Sequence, residues 1–307
     1  MKTSTQQLNR GFTIVELMVS LTIGLVVTWA VTSLFTATTL TFKTQDSAAR
    51  SQETGRYAIA ILSQHIRQAG FFELTGMESA TTFATFVSQN PNLQSVPAIK
   101  GCDGTIAYSA GWACSTSTTL PDSFLVAYQV QSTAPAVTAQ VNNLLPPNGN
   151  VAVGTDCLGQ DPMGGSATMQ GLVAINYFYV DTSANRLMCK GNGDTVARSL
   201  ADGVEDMQIL YGINAAPLVA TSNMQYVSAT SVTDWTQVQA VRLCIQVKAS
   251  QVTGGGAKAT GVNFAQMTGT DCRGRSWSQA GLYTDGVLRR AFWTTVSVRN
   301  QSPRVPL

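Results

Sequence analysis

The six cysteines are the residues of this sequence with the most evident chemistry. All of them lie beyond residue 100, at Cys102, Cys114, Cys157, Cys189, Cys244 and Cys272. No two have the CxxC spacing that zinc sites and thioredoxin-like redox sites use. Because the chain has one histidine, it offers too few nitrogen ligands for a mixed metal site. An even number of cysteines therefore predicts disulfides that form in an oxidising compartment.

The disulfide pairing is not selected by the sequence, since six cysteines can combine in many ways. Pairing between neighbours in sequence is preferred, because each neighbouring pair encloses a short, distinct segment. The first pair flanks a Gly/Ser-rich loop, the second flanks an apolar segment, and the third flanks the triple glycine at 254–256.

Patterns typical of enzymes are absent. The single histidine, His65, has no serine, cysteine or acid at the spacing of a catalytic triad, and its position on an amphipathic helix indicates a packing or surface role. Walker, Rossmann and HExxH motifs are missing as well. The sequence predicts neither catalysis nor a cofactor.

Two groups of acids have the oxygen ligands that calcium prefers. They are Asp202, Glu205 and Asp206 in one group, and Asp156 with Asp161 in a glycine-rich loop. Acids placed before a strand more often serve as turn and capping residues, so we expect no metal site.

One acid lies where a charge is costly, at the start of a long apolar run. Residues 17–42 are 26 residues without a charge or a proline. As a helix they would extend about 39 Å, which exceeds the roughly 30 Å core of a bilayer. Glu16 directly precedes this run, and a carboxylate inside a membrane costs several kcal/mol unless it is paired or protonated. The cations Lys2 and Arg10 before the run predict that the amino end faces the cytoplasm.

The six residues Gly11-Phe12-Thr13-Ile14-Val15-Glu16 resemble the prepilin motif of type IV pilins and type II secretion pseudopilins. The resemblance implies that a prepilin peptidase cuts between Gly11 and Phe12, that the new terminal Phe12 is N-methylated, and that Glu16 becomes the fifth residue of the mature chain. The Phe12 amine of one subunit would then meet the Glu16 carboxylate of its neighbour. Such an ion pair offsets part of the desolvation of both groups.

Beyond the apolar run, spacing predicts that the helix continues in amphipathic form. Ile59, Leu62, Ile66 and Ala69 recur at helical spacing, and Gly70 stands where a helix C′ residue is expected. Alternating apolar residues then predict strands near 124–130, 207–213, 241–247 and 292–298, and a continuous apolar run predicts one at 172–180. We expect an α+β head with an antiparallel sheet and disulfide-tied loops.

The later part of the chain is also similar to PilW-type minor pilins. The similar stretches are Thr155–Gly159, Asp202–Met207 with Tyr211-Gly212, Asp234-Trp235, Arg289-Arg290, Thr294–Val296 and Arg299-Asn300. The resemblance is continuous over about residues 10–35 and patchy afterwards. It implies the type IV pilin fold, in which a long N-terminal helix packs on the sheet of the head.

Charge excludes one large class of partners. The formal net charge is +2 and only 12% of residues are charged, so non-specific nucleic-acid binding is not expected. Six arginines do follow residue 271, namely Arg273, Arg275, Arg289, Arg290, Arg299 and Arg304. Pairing with acids of the head or with neighbouring pilins is favoured over a nucleic-acid surface.

The resemblance to PilW-type minor pilins implies a non-catalytic minor pilin that helps start pilus assembly in a priming or tip complex. Its parts would be a leader at 1–11, a membrane and filament-core helix at 12–42, an amphipathic helix at 43–70 and a periplasmic or extracellular head at 71–307. Other minor pilins, the major pilin, the prepilin peptidase and the inner membrane are the expected partners. A type II secretion pseudopilin, or a tip module for adhesion or DNA uptake, are the alternatives.

Overall fold

The structure of the chain is a computed structural model, which describes one long helix and two main β-sheets. The described residues are 11–72, 96–107, 112–117, 119–132, 152–153, 155–160, 162, 173–213, 224–249, 269–279, 283, 285 and 287–300. The leader residues 1–10, the triple glycine at 254–256, Asp161 and Arg304 lie outside them. The chain divides into two compact units, Met1–Ala48 and Ala49–Leu307.

One long helix, α1, runs from Ile14 to Gln68. It begins at Ile14 because Thr13 caps it: the Glu16 backbone N–H donates to Thr13 Oγ1 at 3.3 Å. In the first unit, every side chain from residue 14 to residue 38 is exposed. This half of the helix therefore buries none of its apolar surface within its own unit.

In the second unit, α1 buries one stripe against the sheets. The buried members of this stripe are Ser51, Gly55, Ala58, Leu62, His65, Ile66 and Ala69. They recur at intervals of three and four, as one face of a helix requires. Gly55 is needed for close approach, because a Cβ built there would overlap the ring of Phe292. The predicted amphipathic helix thus has the predicted buried face.

The helix ends at a glycine in the left-handed region, as predicted for position 70. Gly70 has a φ of +73° and donates its N–H to the Ala127 carbonyl at 2.8 Å. The Asn300 side-chain amide donates to the carbonyls of Arg67 at 3.2 Å and Ala69 at 3.3 Å. A residue from the far end of the chain thereby satisfies carbonyls that a helix end leaves unpaired.

Thirteen strands follow along the described chain. In order they are β1 (Ile99–Cys102), β2 (Gly104–Ile106), β3 (Cys114–Thr116), β4 (Ser123–Gln129), β5 (Gln131–Ser132), β6 (Ala152–Val153), β7 (Val173–Asp181), β8 (Arg186–Lys190), β9 (Arg198–Asp202), β10 (Val204–Ile213), β11 (Gln225–Val227), β12 (Val238–Lys248) and β13 (Arg289–Ser297). Two 3₁₀ turns, Ala229–Ser231 and Trp235–Gln237, connect β11 to β12.

The strands form two main antiparallel sheets. Sheet I has five strands in the order β1-β4-β7-β8-β9, and sheet II has four in the order β11-β10-β12-β13. The pairs β2-β3 and β5-β6 are small separate ribbons. Five of these strands cover the runs predicted from periodicity. The prediction of an α+β fold, with a long helix before antiparallel sheets, is confirmed.

Strand β4 is buried on both of its faces, although its alternation predicted one apolar face. Phe124 and Val126 join the core cluster that contains the helix stripe and sheet II, while Leu125 and Ala127 join a second cluster with Phe72. The strand therefore lies between two cores, which explains why its sequence is apolar throughout.

Asp122, the residue before β4 of sheet I, is bonded to β10 of sheet II. Strand β10 pairs with β11 only over Tyr211–Ile213, which leaves its earlier edge open. Asp122 uses this edge: its N–H donates to the Met207 carbonyl at 2.8 Å, and its Oδ2 accepts the Ile209 N–H at 2.7 Å. The carboxylate acts here as a substitute for a strand neighbour.

Candidate functional site

Gly11 and Phe12, which lie shortly before α1, are open to other molecules in the described chain. No heavy atom lies within 4 Å of an ideal Cβ at Gly11, and Phe12 is 83% exposed. The peptide bond between these two residues is therefore accessible within the described chain. This is the bond that the sequence analysis assigned to the prepilin peptidase.

Glu16 has a local role that the sequence analysis missed. Thr13 accepts the N–H of Glu16 through its hydroxyl at 3.3 Å, and accepts the N–H of Leu17 through its carbonyl at 3.2 Å. A Thr followed three residues later by Glu is the pattern of a capping box, and it was visible in the sequence. An acid in the first turn also complements the helix dipole. The side chain of Glu16 is exposed, and within the described chain its carboxylate accepts no hydrogen bond.

The exposed apolar half of α1 satisfies its own polar groups. Within the described chain, nine hydroxyl side chains of this half donate to backbone carbonyls three or four residues earlier, and they belong to Ser20, Thr22, Thr28, Thr32, Ser33, Thr36, Thr38, Thr39 and Thr41. An 18-residue window of the helix has a mean hydropathy of 2.1. By length and composition, this helix can cross a membrane.

Three disulfides tie the head together, and they join cysteines that are neighbours in sequence. Cys102 pairs with Cys114, Cys157 with Cys189, and Cys244 with Cys272. Their Cα atoms are 5.6, 6.5 and 5.5 Å apart. This is the pairing that the sequence analysis preferred, and the described chain has no free cysteine.

The acids considered as calcium ligands have other partners. Asp156 is buried, and its two oxygens accept N–H groups of Leu158, Gln160 and Gly193 at 2.9, 2.9 and 3.1 Å. It therefore holds the turn that carries Cys157. Asp202 pairs with Arg186 at 2.9 Å. Within the described residues, no group of three His, Cys, Asp or Glu side chains could hold a metal ion.

Three of the late arginines form ion pairs on the outer face of sheet II, where the loop tied by Cys272 covers it. Arg273 pairs with Asp206 at 2.8 Å and Arg275 with Asp271 at 2.7 Å. The buried Arg289 guanidinium donates to Glu205 at 2.6 and 3.0 Å and to Asp285 at 2.7 Å. Hydrogen bonds from Arg289 hold the pKa of the Asp285 carboxyl well below its usual range. These arginines hold the head together.

His65 is a packing residue, as its position on the helix predicted. Its ring lies 5.1 Å from the Phe178 ring and 6.3 Å from the Tyr128 ring, measured between centroids. Its Nδ1 atom is buried and has no hydrogen-bond partner among the described residues. Burial lowers the pKa of the imidazole to about 4, although the nearby Asp156 charge opposes this shift.

Comparison with known families gives two matches, which fall at the two ends of the chain. Residues 7–32 match the model described as a prokaryotic N-terminal methylation motif, and residues 177–300 match the model of type IV pilus-assembly protein W, PilW. Over these two regions the chain is similar to type IV pilins of the PilW type. The PilW region extends from β7 to the Asn300 helix cap, so it contains all of sheet II and the Arg289 cluster.

Two further comparisons add little to this family similarity. A solved structure, the type IV-like pilin TTHA1219 from Thermus thermophilus, is 13% identical and covers 60% of this chain and 81% of its own, with a TM-score of 0.29. A superposition this loose carries no argument, so the fold assignment depends on the elements described above. The comparison with curated proteins gave no match.

Proposed function

We propose that this protein is a low-copy minor pilin that helps start pilus assembly as part of a priming or tip complex. The observation that carries the proposal is the combination of a methylation motif, an exposed apolar helix directly after it, and a PilW region in the head. Residues 71–307 far outnumber those of the helix. A head of that size suits a subunit used in few copies, because bulky heads obstruct close helical packing.

Processing is the first step of the proposed function. The prepilin peptidase cleaves between Gly11 and Phe12, and the new amino terminus of Phe12 is methylated. Cleavage removes Lys2 and Arg10 together with the leader, and it places a cationic amine four residues before Glu16. The exposure of Gly11 and Phe12 in the described chain supports this step.

Glu16 then acts as the assembly contact. Its backbone N–H is used in the cap of α1, whereas its carboxylate is exposed and can meet the Phe12 amine of a neighbouring subunit. Both groups lie at the start of an apolar helix, where an unpaired charge is costly. An ion pair between subunits offsets part of that cost, and it is lost when either partner is missing.

The proposed arrangement in the cell follows from the charges around the helix. Residues 12–42 span the inner membrane with the leader in the cytoplasm, and residues 43–70 and 71–307 lie outside it. The three disulfides then form in an oxidising compartment. The partners would be the prepilin peptidase first, and the other minor pilins and the major pilin afterwards.

The experiment that tests this function is mass analysis of the amino-terminal peptide. Sheared surface fibres and inner membranes would be compared. Methylated Phe12 in trace amounts in the fibres supports a minor pilin, whereas the same peptide confined to membranes points to a secretion pseudopilin. An intact Met1 terminus in both fractions contradicts the processing step.

Matched variants separate the motif from general damage. Gly11→Val is expected to block processing, while Gly24→Val adds the same side chain inside the helix where a Cβ also meets no heavy atom within 4 Å. Glu16→Ala is expected to abolish assembly of the stably made protein, while Glu53→Ala removes an exposed acid from the same helix and leaves piliation unchanged. Normal piliation with Glu16→Ala would remove the proposed contact.

A further inference from the structure

Strand β13 forms one outer edge of sheet II. It pairs along its nine residues with β12, from Ala240↔Ser297 to Lys248↔Arg289, and no strand of the described chain lies on its other side. An unpaired edge presents a row of N–H and C=O groups on which another strand can form.

The hydrogen bonds at the two ends of this pairing show which residues face outward. Beyond one end, the Ala249 N–H donates to the Leu288 carbonyl at 2.8 Å, and beyond the other the Val298 N–H donates to the Gln239 carbonyl at 2.8 Å. In an antiparallel pair, the residues bonded to the partner alternate with residues whose groups point away. Even-numbered residues of β13 therefore bond to β12, and the groups of Ala291, Trp293, Thr295 and Ser297 point outward. Within the described chain, no hydrogen bond reaches these outward groups.

Natural proteins usually protect such an edge, and β13 lacks three of the usual devices. Bulges, prolines and short length are common protections. The pairing of β13 with β12 has an unbroken register, and the strand contains no proline. Trp293 is 43% exposed beside the edge, where tryptophan commonly contributes to protein interfaces. This edge has the properties of a binding site.

The charges beside the edge indicate what kind of strand would bind. Arg242 lies over the Trp293 ring at 5.2 Å, and Arg290 and Arg299 are exposed at the two ends of the strand. Within the described chain, none of these three cations has a carboxylate within ion-pair distance. The other arginines of the sheets and of the Cys272 loop do have one, and they are Arg186, Arg198, Arg273, Arg275 and Arg289. Three cations that lack an ion-pair partner in the described chain thus lie beside the β13 edge.

A second copy of this chain does not supply the matching acids on the other edges of its two main sheets. Strand β1 carries only Lys100, and β11 carries no charge. The one acid of β9, Asp202, is already held by Arg186 at 2.9 Å. The described edge strands of a second copy therefore offer no acid without a partner, and we take the complementary strand to belong to a different polypeptide.

We propose that the outer edge of β13 binds an extended, acidic segment of another protein, which adds to sheet II as an antiparallel or parallel strand. Backbone hydrogen bonds to the outward groups supply affinity, Trp293 supplies apolar contact, and the three cations select an acidic sequence. The site belongs to the head, so it requires neither cleavage at Gly11 nor the priming role. Failure of the priming role would leave this site untouched.

The test uses the full mature chain in detergent micelles and a labelled peptide, acetyl-Thr-Glu-Val-Thr-Val-Glu-Val-Thr-Glu-amide. Binding is followed by fluorescence anisotropy, with a second peptide in which glutamine replaces each glutamate as the control. We expect the acidic peptide to bind, the glutamine peptide to bind more weakly, and the affinity to fall as salt rises. Hydrogen exchange is expected to slow at Trp293 and Thr295 when the acidic peptide is added.

Two pairs of variants separate backbone pairing from charge. Thr295→Pro removes an outward N–H without breaking a bond to β12, and it is expected to weaken binding by about tenfold, since one hydrogen bond is lost and the edge is obstructed. Its control is Thr295→Val, which keeps the N–H. Arg242→Gln is expected to weaken binding about threefold, whereas Arg186→Gln makes the same charge change on sheet I and leaves binding unchanged.

Three results would overturn the proposal. The first is that the acidic peptide does not bind. The second is that Thr295→Pro and Thr295→Val bind the acidic peptide with equal affinity. The third is that the peptide slows hydrogen exchange at residues other than the outward residues of β13. If Thr295→Pro fails to fold, the exchange pattern and the Arg242→Gln comparison still decide. If the chain alone forms a dimer and Thr295→Pro abolishes that dimer, the β13 edge binds a second copy of the chain. That result would also overturn the proposal as stated.

Discussion

Acid should destabilise the head through one buried histidine. His65 is 8% exposed, its Nδ1 has no hydrogen-bond partner in the part of the chain that the structure describes, and burial lowers its pKa from 6.5 to about 4. Between these two pH values the unfolded chain binds a proton that the folded chain does not. Folding stability is therefore fully present above about pH 6.5, and it is lost as the pH falls toward 4. Each unit of pKa corresponds to about 1.4 kcal/mol, so the loss is about 3 kcal/mol.

The perturbation that isolates this effect is His65→Gln, which keeps a polar side chain but removes the titration. The free energy of unfolding would be measured by denaturant titration at pH 7 and at pH 4.5 for both proteins. We expect the original chain to lose about 2 to 3 kcal/mol more than the variant over this interval. Equal losses in the two proteins would refute the reasoning.

The pKa of His65 can also be measured directly by NMR, because this chain has one histidine and its ring resonances need no assignment. The Cε1–H chemical shift of the folded protein is expected to titrate near pH 4. As a control, Gln64→His in the His65→Gln background moves the histidine to an exposed neighbouring position, where we expect an ordinary pKa near 6.5. Titration of native His65 between pH 6 and 7 would show that the ring is not desolvated.

Three other perturbations act on the second unit. Burial raises the pKa of Asp122 to about 7, so the original chain should lose stability relative to Asp122→Asn as the pH rises from 4 to 7. Denaturant titrations at pH 4 and at pH 7 would show this loss. An equal change in the unfolding free energy of the two proteins would contradict it. Arg289→Gln leaves the Asp285 carboxylate without its main partner, so it should lower the free energy of unfolding by about 3 to 5 kcal/mol. The loss would be seen as a lower denaturation midpoint. A loss below about 1 kcal/mol would mean that the ion pair is dispensable. Gly55→Val forces a side chain into the Phe292 ring, so it should lower the free energy of unfolding by at least about 1 to 3 kcal/mol. An unchanged thermal midpoint would mean that α1 does not approach β13 so closely.

The helix and five of the thirteen described strands were predictable because their signals are local. An apolar run of 26 residues, a helical spacing of apolar residues to Ala69 and a glycine at position 70 determine where α1 lies and where it ends. Alternation likewise located β10, β12 and β13. The capping role of Thr13 and Glu16 was present in the same sequence pattern, but the membrane argument for Glu16 concealed it.

The sites made by distant residues were not predictable. Nothing near Asp122 indicates that its carboxylate completes the edge of β10, and nothing near Asn300 indicates that it caps a helix that ends more than 200 residues earlier. Arg273 and Arg289 could be expected to find acids, but which acids depended on how the Cys272 loop lies over sheet II. Such pairs form between segments that only folding brings together.

The sequence by itself determined the motif at Gly11–Glu16, the exposed apolar helix and the even set of cysteines, since each depends on residue type and short-range spacing. The tertiary structure alone decided which cysteines pair, which arginines are neutralised and which strand edge is left open. These properties depend on strand order and register, and hydrophobic periodicity does not encode them, because many strand orders bury the same alternating residues. The unpaired edge of β13 is therefore visible only in the folded protein.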